Sequence, residues 1–333
     1  MPDIRHDVLC IGNAIVDVIA RAEEDFLSTH AMTKGSMMLI DEQRAEAIYG
    51  AMGPATVISG GSAGNTAVGV ASFGARAAYF GKVKEDDVGR VFTHDIRAMG
   101  VHFPTAPAAA GPATARSFIM VTPDGERTMN TYLGACVTFG PEDIDEATVK
   151  ASKIAYFEGY LWDPPAAKDA IRKAADFAHA AGREVAITLS DPFCVDRYRD
   201  EFLFLMRTRT VDLVFANEHE LLSLYQTSDF ATALDLVRKD ATTAVVTRSE
   251  KGALVATGAG VEEAPAAAIR ELVDTTGAGD LFAAGFLFGR ATGRDPKTCL
   301  GLGALAAAEV IQHVGARPQV SLQQLARQSG FGL

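Results

Sequence analysis

Short apolar runs alternate with stretches of helical composition along most of the chain. Asp7 to Ile11 and Ile15 to Ala20 predict two early strands broken at Gly12-Asn13, and Met37 to Ile40 predicts a third. Glu42 to Met52 has helical composition, and Thr56 to Ser59 reads as a buried strand running into Gly60-Gly61-Ser62-Ala63-Gly64-Asn65. A helix from Thr66 to Phe73, a strand from Ala77 to Gly81 and a helix from Val88 to Met99 follow, with Gly74 and Gly100 as helix-ending residues. Ala115 to Thr122 and Arg127 to Leu133, joined by Pro123-Asp124-Gly125-Glu126, predict a β-hairpin that interrupts the alternation. The alternation resumes with strands at Ile154 to Phe157, Glu184 to Leu189, Val211 to Phe215 and Ala244 to Thr247. Helices are expected at Ala166 to Ala181, Glu218 to Tyr225, Ala278 to Ala291 and Pro296 to Val314. Such a pattern predicts an α/β fold with a mostly parallel sheet covered on both faces, and a separate small sheet built from the early strands and the hairpin.

At 333 residues the chain is long enough for one large domain with an accessory part. With 48% hydrophobic and 22% charged residues it has too many core formers for disorder. The net charge of -11 argues against a broad nucleic-acid footprint, which needs clustered Lys and Arg. The four cysteines, Cys10, Cys136, Cys194 and Cys299, have neither zinc nor disulfide spacing and read as reduced, buried thiols. No secretory pattern stands in Met1 to Asp7 and no apolar run is long enough to span a bilayer, so a cytoplasmic protein without membrane contact is expected, as monomer or homodimer.

The sharpest chemical signal is Asp274-Thr275-Thr276-Gly277-Ala278-Gly279-Asp280 at the start of a helix. Glycines there leave backbone N–H groups free where the helix dipole favours a phosphate. Asp280 would accept a proton from an attacking hydroxyl while the Gly277, Ala278 and Gly279 amides stabilise the transferred phosphoryl group. A capping Asp in a tight turn has the same local pattern. Gly60, Gly61 and Asn65, together with Gly12-Asn13 and with Asp17 in an otherwise apolar strand, suit a polyol held close to the backbone. Asn217-Glu218-His219-Glu220 places acids at a strand's C-terminal end, where they can hold hydrated Mg²⁺ beside ATP phosphates; an acid-rich helix start is the alternative. Gly301-Leu302-Gly303 lies inside helical sequence and no Gly-x-x-x-x-Gly-Lys-Ser/Thr loop is present, so neither a dinucleotide fold nor a P-loop is expected. No histidine pair has metal-ligand spacing, and no histidine is assigned to catalysis.

These motifs, in this order over nearly the whole chain, resemble the ribokinase-like, or PfkB, carbohydrate kinase family. The resemblance implies a ribokinase-like doubly wound sheet spanning 1–333, with a small β lid from about 12–40 and 102–135 that closes over the acceptor and excludes water. It implies that Asn13, Asp17, Gly60, Gly61 and Asn65 hold the acceptor, that Asn217 and Glu220 organise Mg²⁺ through water, and that Thr247, Ser249, Lys251 and Gly252 form a nucleotide-binding segment. Gly315-Ala316 resembles the loop beside the adenine, and Asp274 with Thr276 stand where ligands of an activating K⁺ would be. Ile187 to Phe193 and Glu158-Gly159-Tyr160 look closer to the branch that phosphorylates adenosine than to ribokinases; Phe193 would then stack on the purine, or else be an ordinary core residue. The expected activity is ATP-dependent phosphorylation of a nucleoside 5′-hydroxyl, with a kinase acting on ribose, fructose or a keto-deoxy sugar acid as the alternative and a noncatalytic nucleoside- or sugar-binding regulator as the reading from another class.

Overall fold

Residues 3–333 are described by the computed structural model, so Met1 and Pro2, part of the stretch read for a leader, lie outside the described residues. The short apolar runs become strands: β1 (His6–Ile11), β2 (Ile15–Arg21), β3 (Met37–Leu39), β4 (Thr56–Ser59), β5 (Ala77–Phe80), β6 (Ala115–Val121), β7 (Arg127–Tyr132), β8 (Ser152–Glu158), β9 (Glu184–Thr188), β10 (Leu213–Asn217), β11 (Thr243–Thr247), β12 (Ala253–Thr257) and β13 (Gly260–Ala264). Eight of them form one sheet in the order β13-β12-β11-β10-β9-β8-β1-β5. All neighbours from β5 to β11 pair in parallel, and β12 and β13 close the edge antiparallel. Its strands carry apolar residues on both faces because helices cover both. One layer packs around Trp162, Ile171, Phe202 and Leu221, the other around Tyr79, Phe92, Phe215 and Phe286.

The remaining five strands form a second sheet, β3-β7-β6-β2-β4. Its core is small, gathered around Val18, Leu27, Ile48, Phe118 and Met120 against the helix Glu42–Ala51. Of the two early strands, β1 belongs to the large sheet and only β2 to the small one. β4, expected as a buried strand, is instead an edge strand of the small sheet with Thr56 and Val57 exposed, and it lies outside the segments read as the lid. Residues 102–114 contribute isolated bridges to Ala78 and Lys84 rather than a strand of that sheet.

Three further elements differ from the sequence reading. The strand expected at Glu184 to Leu189 stops at Thr188, and a helix not read from the sequence follows, capped by Asp191, opened by Pro192 and running to Arg207. The glycine turn at Gly60-Gly61 is shorter than read: the helix already starts at Ser62, so Gly64 and Asn65 lie in its first turn. The helix Pro296–Val310 ends four residues early, freeing the chain from Ile311 to Val320 to run back across the site before a last helix, Leu322–Gln328. No helix among the described residues is long and apolar enough to cross a membrane.

Candidate active site

The chain enters the small sheet after β1 and leaves it after β4, and polar turns sit at these two crossings. The first is Gly12-Asn13-Ala14 between β1 and β2; the second is Gly60-Gly61, between β4 and the helix Ser62–Ser72. Gly60 N donates to Ile15 O at 2.8 Å, and a Cβ on Gly61 would lie 2.3 Å from Asn13 O, so the crossings touch at backbone distance. Gly61 also needs its positive φ of 82°. Asp17 projects from β2 against Gly60, where a Cβ would meet its carboxylate at 2.3 Å.

Glu158, at the end of β8, fastens both crossings. Its Oε1 accepts from Asn13 N at 2.9 Å and Asn13 Nδ2 at 2.8 Å, and its Oε2 accepts from Ala63 N at 2.7 Å. It is 1% exposed, and burial pushes its carboxyl up to about 7 against the pull of those donors. Sequence reasoning noticed Glu158 only as part of a resemblance. An acid ending an apolar strand beside glycine is the signal that could have found it.

Asp280 meets the second crossing from the opposite side. Its Oδ1 accepts from Ser62 Oγ at 2.6 Å and its Oδ2 from Asn65 Nδ2 at 2.9 Å, joining motifs 215 residues apart. Burial raises the Asp280 carboxyl above the ordinary value, opposed by those two bonds and by the Arg317 charge. Asp17 is pushed up to about 7 by burial, with Arg317 and Arg127 working against the shift and Asp280 with it. Asn65 is 5% exposed and its Oδ1 has no hydrogen-bond partner, which leaves one acceptor beside Asp280 ready for a hydroxyl.

The helix Ala278–Ala291 begins at Gly277, which has a φ of 79° and packs so closely on Ala316 that a Cβ would lie 2.7 Å from it. Ala278 N donates to Thr275 O at 3.2 Å, so it is not one of the free amides the sequence suggested. Gly277, Gly279 and Asp280 N–H have no backbone acceptor, and nothing lies within 4 Å of where a Gly279 Cβ would be. The space above these amides fits a phosphoryl group.

Asp274 departs from expectation. Its Oδ1 accepts from Thr276 N at 3.0 Å and Thr276 Oγ at 2.7 Å, its Oδ2 accepts from Gly315 N at 2.9 Å, and the Arg127 guanidinium sits 2.6 Å from Oδ2. With donors around both oxygens and a built-in cation from β7, this carboxylate does not fit a K⁺ ligand role.

Further along the large sheet, Asn217 ends β10 and caps the helix Glu218–Tyr225. Glu220 closes a capping box: its oxygens accept from Asn217 N at 2.9 Å and Asn217 Nδ2 at 2.6 Å. It is 5% exposed, and burial, with the nearby Asp191 charge, pushes it up to about 7. Asp191 was missed as a member of this acidic pair. Thr247 lies beside Asn217 in the sheet register; Ser249 and Gly252 follow in a turn with φ of 51° and 87°. Among the described residues no group of three or more His, Cys, Asp or Glu side chains forms a metal cage. Glu220 with Asn217 fits a hydrated Mg²⁺ carried on phosphates, where carboxylates act through water. Phe193 is not an ordinary core residue: it is 76% exposed with no aromatic partner among the described residues. Asn13 is present at the crossing, but its amide nitrogen is committed to Glu158. A surface cavity of about 720 Å³ over the helix Asp87–Ala98 shares no lining residue with this site.

A parallel sheet, a glycine-rich helix start with free amides, and a carboxylate shared with a polyol-type turn define a phosphoryl-transfer enzyme with a hydroxyl acceptor. The chain belongs to the pfkB family of carbohydrate kinases, whose profile matches residues 5–322. It is an ATP-dependent kinase, with the Mg²⁺ that usually accompanies ATP in that family. It is 60% identical to the adenosine kinase of Sinorhizobium meliloti, with a TM-score of 0.92 over 98% of this chain and 100% of that one. A probable sugar kinase from Rhizobium etli CFN 42 is 58% identical, with a TM-score of 0.93 over 98% of this chain and 99% of that one. Adenosine kinase of Saccharomyces cerevisiae is 27% identical, over 92% of this chain and 95% of the yeast protein.

Proposed function

We propose that the chain transfers the γ-phosphoryl group of ATP to the 5′-hydroxyl of adenosine, giving AMP and ADP. The observation that carries this reading is the pair of hydrogen bonds that Ser62 and Asn65 make to Asp280, which brings the acceptor turn to the helix start. Asp17 and the unpartnered Asn65 Oδ1 accept hydrogen bonds from ribose hydroxyls. Asp280 takes the proton of the 5′-hydroxyl as its oxygen attacks the γ-phosphorus, and the bond to the ADP oxygen breaks. The Gly277, Gly279 and Asp280 amides receive the charge that develops on the transferred group. Asn217 and Glu220 would hold Mg²⁺ through water, and that ion would neutralise phosphate charge. Thr247, Ser249 and Gly252 line the nucleotide side at the end of β11. The Arg127 ion pair at Asp274 argues against a K⁺ requirement, and the small sheet acts as the lid. Four free, buried thiols suit a reducing, cytoplasmic setting.

The choice of adenosine over a sugar is supported by the 60% identical adenosine kinase. The 58% identical probable sugar kinase keeps a second reading open, because Asp17 and Asn65 suit any polyol. A coupled ADP-release screen with MgATP separates them. Adenosine is expected to exceed ribose, fructose and a keto-deoxy sugar acid in kcat/KM by at least about tenfold, the scale of about 1.4 kcal/mol of transition-state discrimination. Activity on a free sugar with none on adenosine would overturn the choice. Thermal stabilisation by ligands without ADP release from any acceptor would favour a noncatalytic binder.

A further inference from the structure

No sequence motif singled out Arg317, which lies on the segment that recrosses the site after the helix Pro296–Val310. Its Nε donates to Ser59 O at 3.2 Å, its Nη2 to Ser59 O at 2.9 Å and Ser59 Oγ at 3.3 Å, and its Nη1 to Gly64 O at 2.7 Å. The guanidinium thus clamps both ends of the acceptor turn. The same segment reaches the phosphate side: Gly315 N donates to Asp274 at 2.9 Å, and Ala316 packs on Gly277. These donors go to carbonyls and a hydroxyl, and no carboxylate forms an ion pair with Arg317 within 4 Å among the described residues. Its charge therefore acts at longer range on the acids around it. The groups that face it are Asp17 from β2, Asp280 from its helix, Tyr79 from β5 and Asp95 from the helix Asp87–Ala98.

We infer that Arg317 is a positioning residue that joins the acceptor turn to the phosphate loop and supplies the positive charge against which Asp280 works. The inference rests on the proposed role of Asp280 but not on the identity of the acceptor. Burial lowers the Arg317 guanidinium only to about 10, so it stays charged across the working range. Asp280 also faces Asp17, Glu158, Cys10, Tyr156 and Tyr160, of which only Asp17 and Glu158 titrate near neutrality. Because burial raises Asp17 and Asp280, both hold protons at low pH, and kcat/KM rises with pH as they ionise, with an acidic limb near the value of about 7 at Asp17. Removing the Arg317 charge favours the protonated acids and moves that limb to higher pH.

The test compares R317Q and R317K with the wild-type protein at saturating MgATP, using whichever acceptor releases ADP fastest. R317Q is expected to shift the acidic limb upward by about one pH unit and to lower kcat at pH 7 by about tenfold or more. R317K keeps the charge but loses the planar fork, so its limb is expected to stay in place while kcat falls about fivefold. A wild-type limb in R317Q, or wild-type kcat in R317K, overturns the inference. Thermal unfolding reports whether each variant folds; if R317Q does not, R317K alone decides, since only a reduced kcat with an unmoved limb agrees with the proposed clamp.

Discussion

Replacing Asp280 by Asn is expected to lower kcat about a thousandfold while leaving the KM for the acceptor within about threefold, because a positioned base contributes about 10²–10⁴ in rate. The substitution keeps the size of the side chain. Asn65 Nδ2 can still donate to the remaining oxygen, as it now donates to Oδ2 at 2.9 Å. The Ser62 hydroxyl, which now donates to Oδ1, can turn to accept from the new amide nitrogen, so Asn65 Oδ1 stays free for the acceptor and the constellation survives without a base. Steady-state ADP release over a range of acceptor concentrations checks both parameters. Rates within tenfold of wild type would mean that another group takes the proton, and that Asp280 only ties Ser62 and Asn65 to its helix.

Glu158→Ala should be the most destabilising change near the site. It strips the partners from Asn13 N, Asn13 Nδ2 and Ala63 N, where the carboxylate is 1% exposed. Each orphaned buried donor costs about 1–3 kcal/mol, and with a vacated volume and partial relaxation the total is expected near 3–5 kcal/mol. An unfolding entropy of about 0.7 kcal/mol/K for a chain of this length converts that to a fall in Tm of about 4–7 °C. The acceptor KM should rise with it, since the crossings that carry Asp17 and Asn65 lose their common anchor. Glu158→Gln keeps the shape but turns an amide donor toward one of the N–H groups, so an intermediate loss is expected. Differential scanning calorimetry of the three proteins tests the order. An alanine variant as stable as wild type would show that the donors find water instead.

The large sheet was legible because its strands are short, apolar and bounded by glycines, and because each helix between them has its own period. The glycine-rich helix start within Asp274 to Asp280 was legible for a different reason: its parts are adjacent, so spacing alone reports them, although Ala278 N is bonded to Thr275 O. What stayed hidden depends on pairs far apart in the chain. Glu158 acts on Asn13 and Ala63, Arg317 on Ser59 and Gly64, and Arg127 on Asp274; no local pattern reports such partners. The misread ends have local causes. Asp191-Pro192 carries a helix-start signal that the preceding apolar run masked, and β4 looks buried because its residues are β-branched although it is an exposed edge. β12 and β13 went unread because Ser249 to Gly252 drew attention as a nucleotide loop rather than as the turn into an antiparallel edge.

A crystal of the protein with adenosine and β,γ-methylene ATP measures the decisive distance. The account predicts the 5′-oxygen within hydrogen-bond reach of Asp280, at about 2.6–3.2 Å, with the γ-phosphoryl group over the Gly277, Gly279 and Asp280 amides on the far side of that oxygen. A 5′-oxygen held away from Asp280 while both ligands are bound, or a γ-phosphoryl group bound elsewhere, would contradict it.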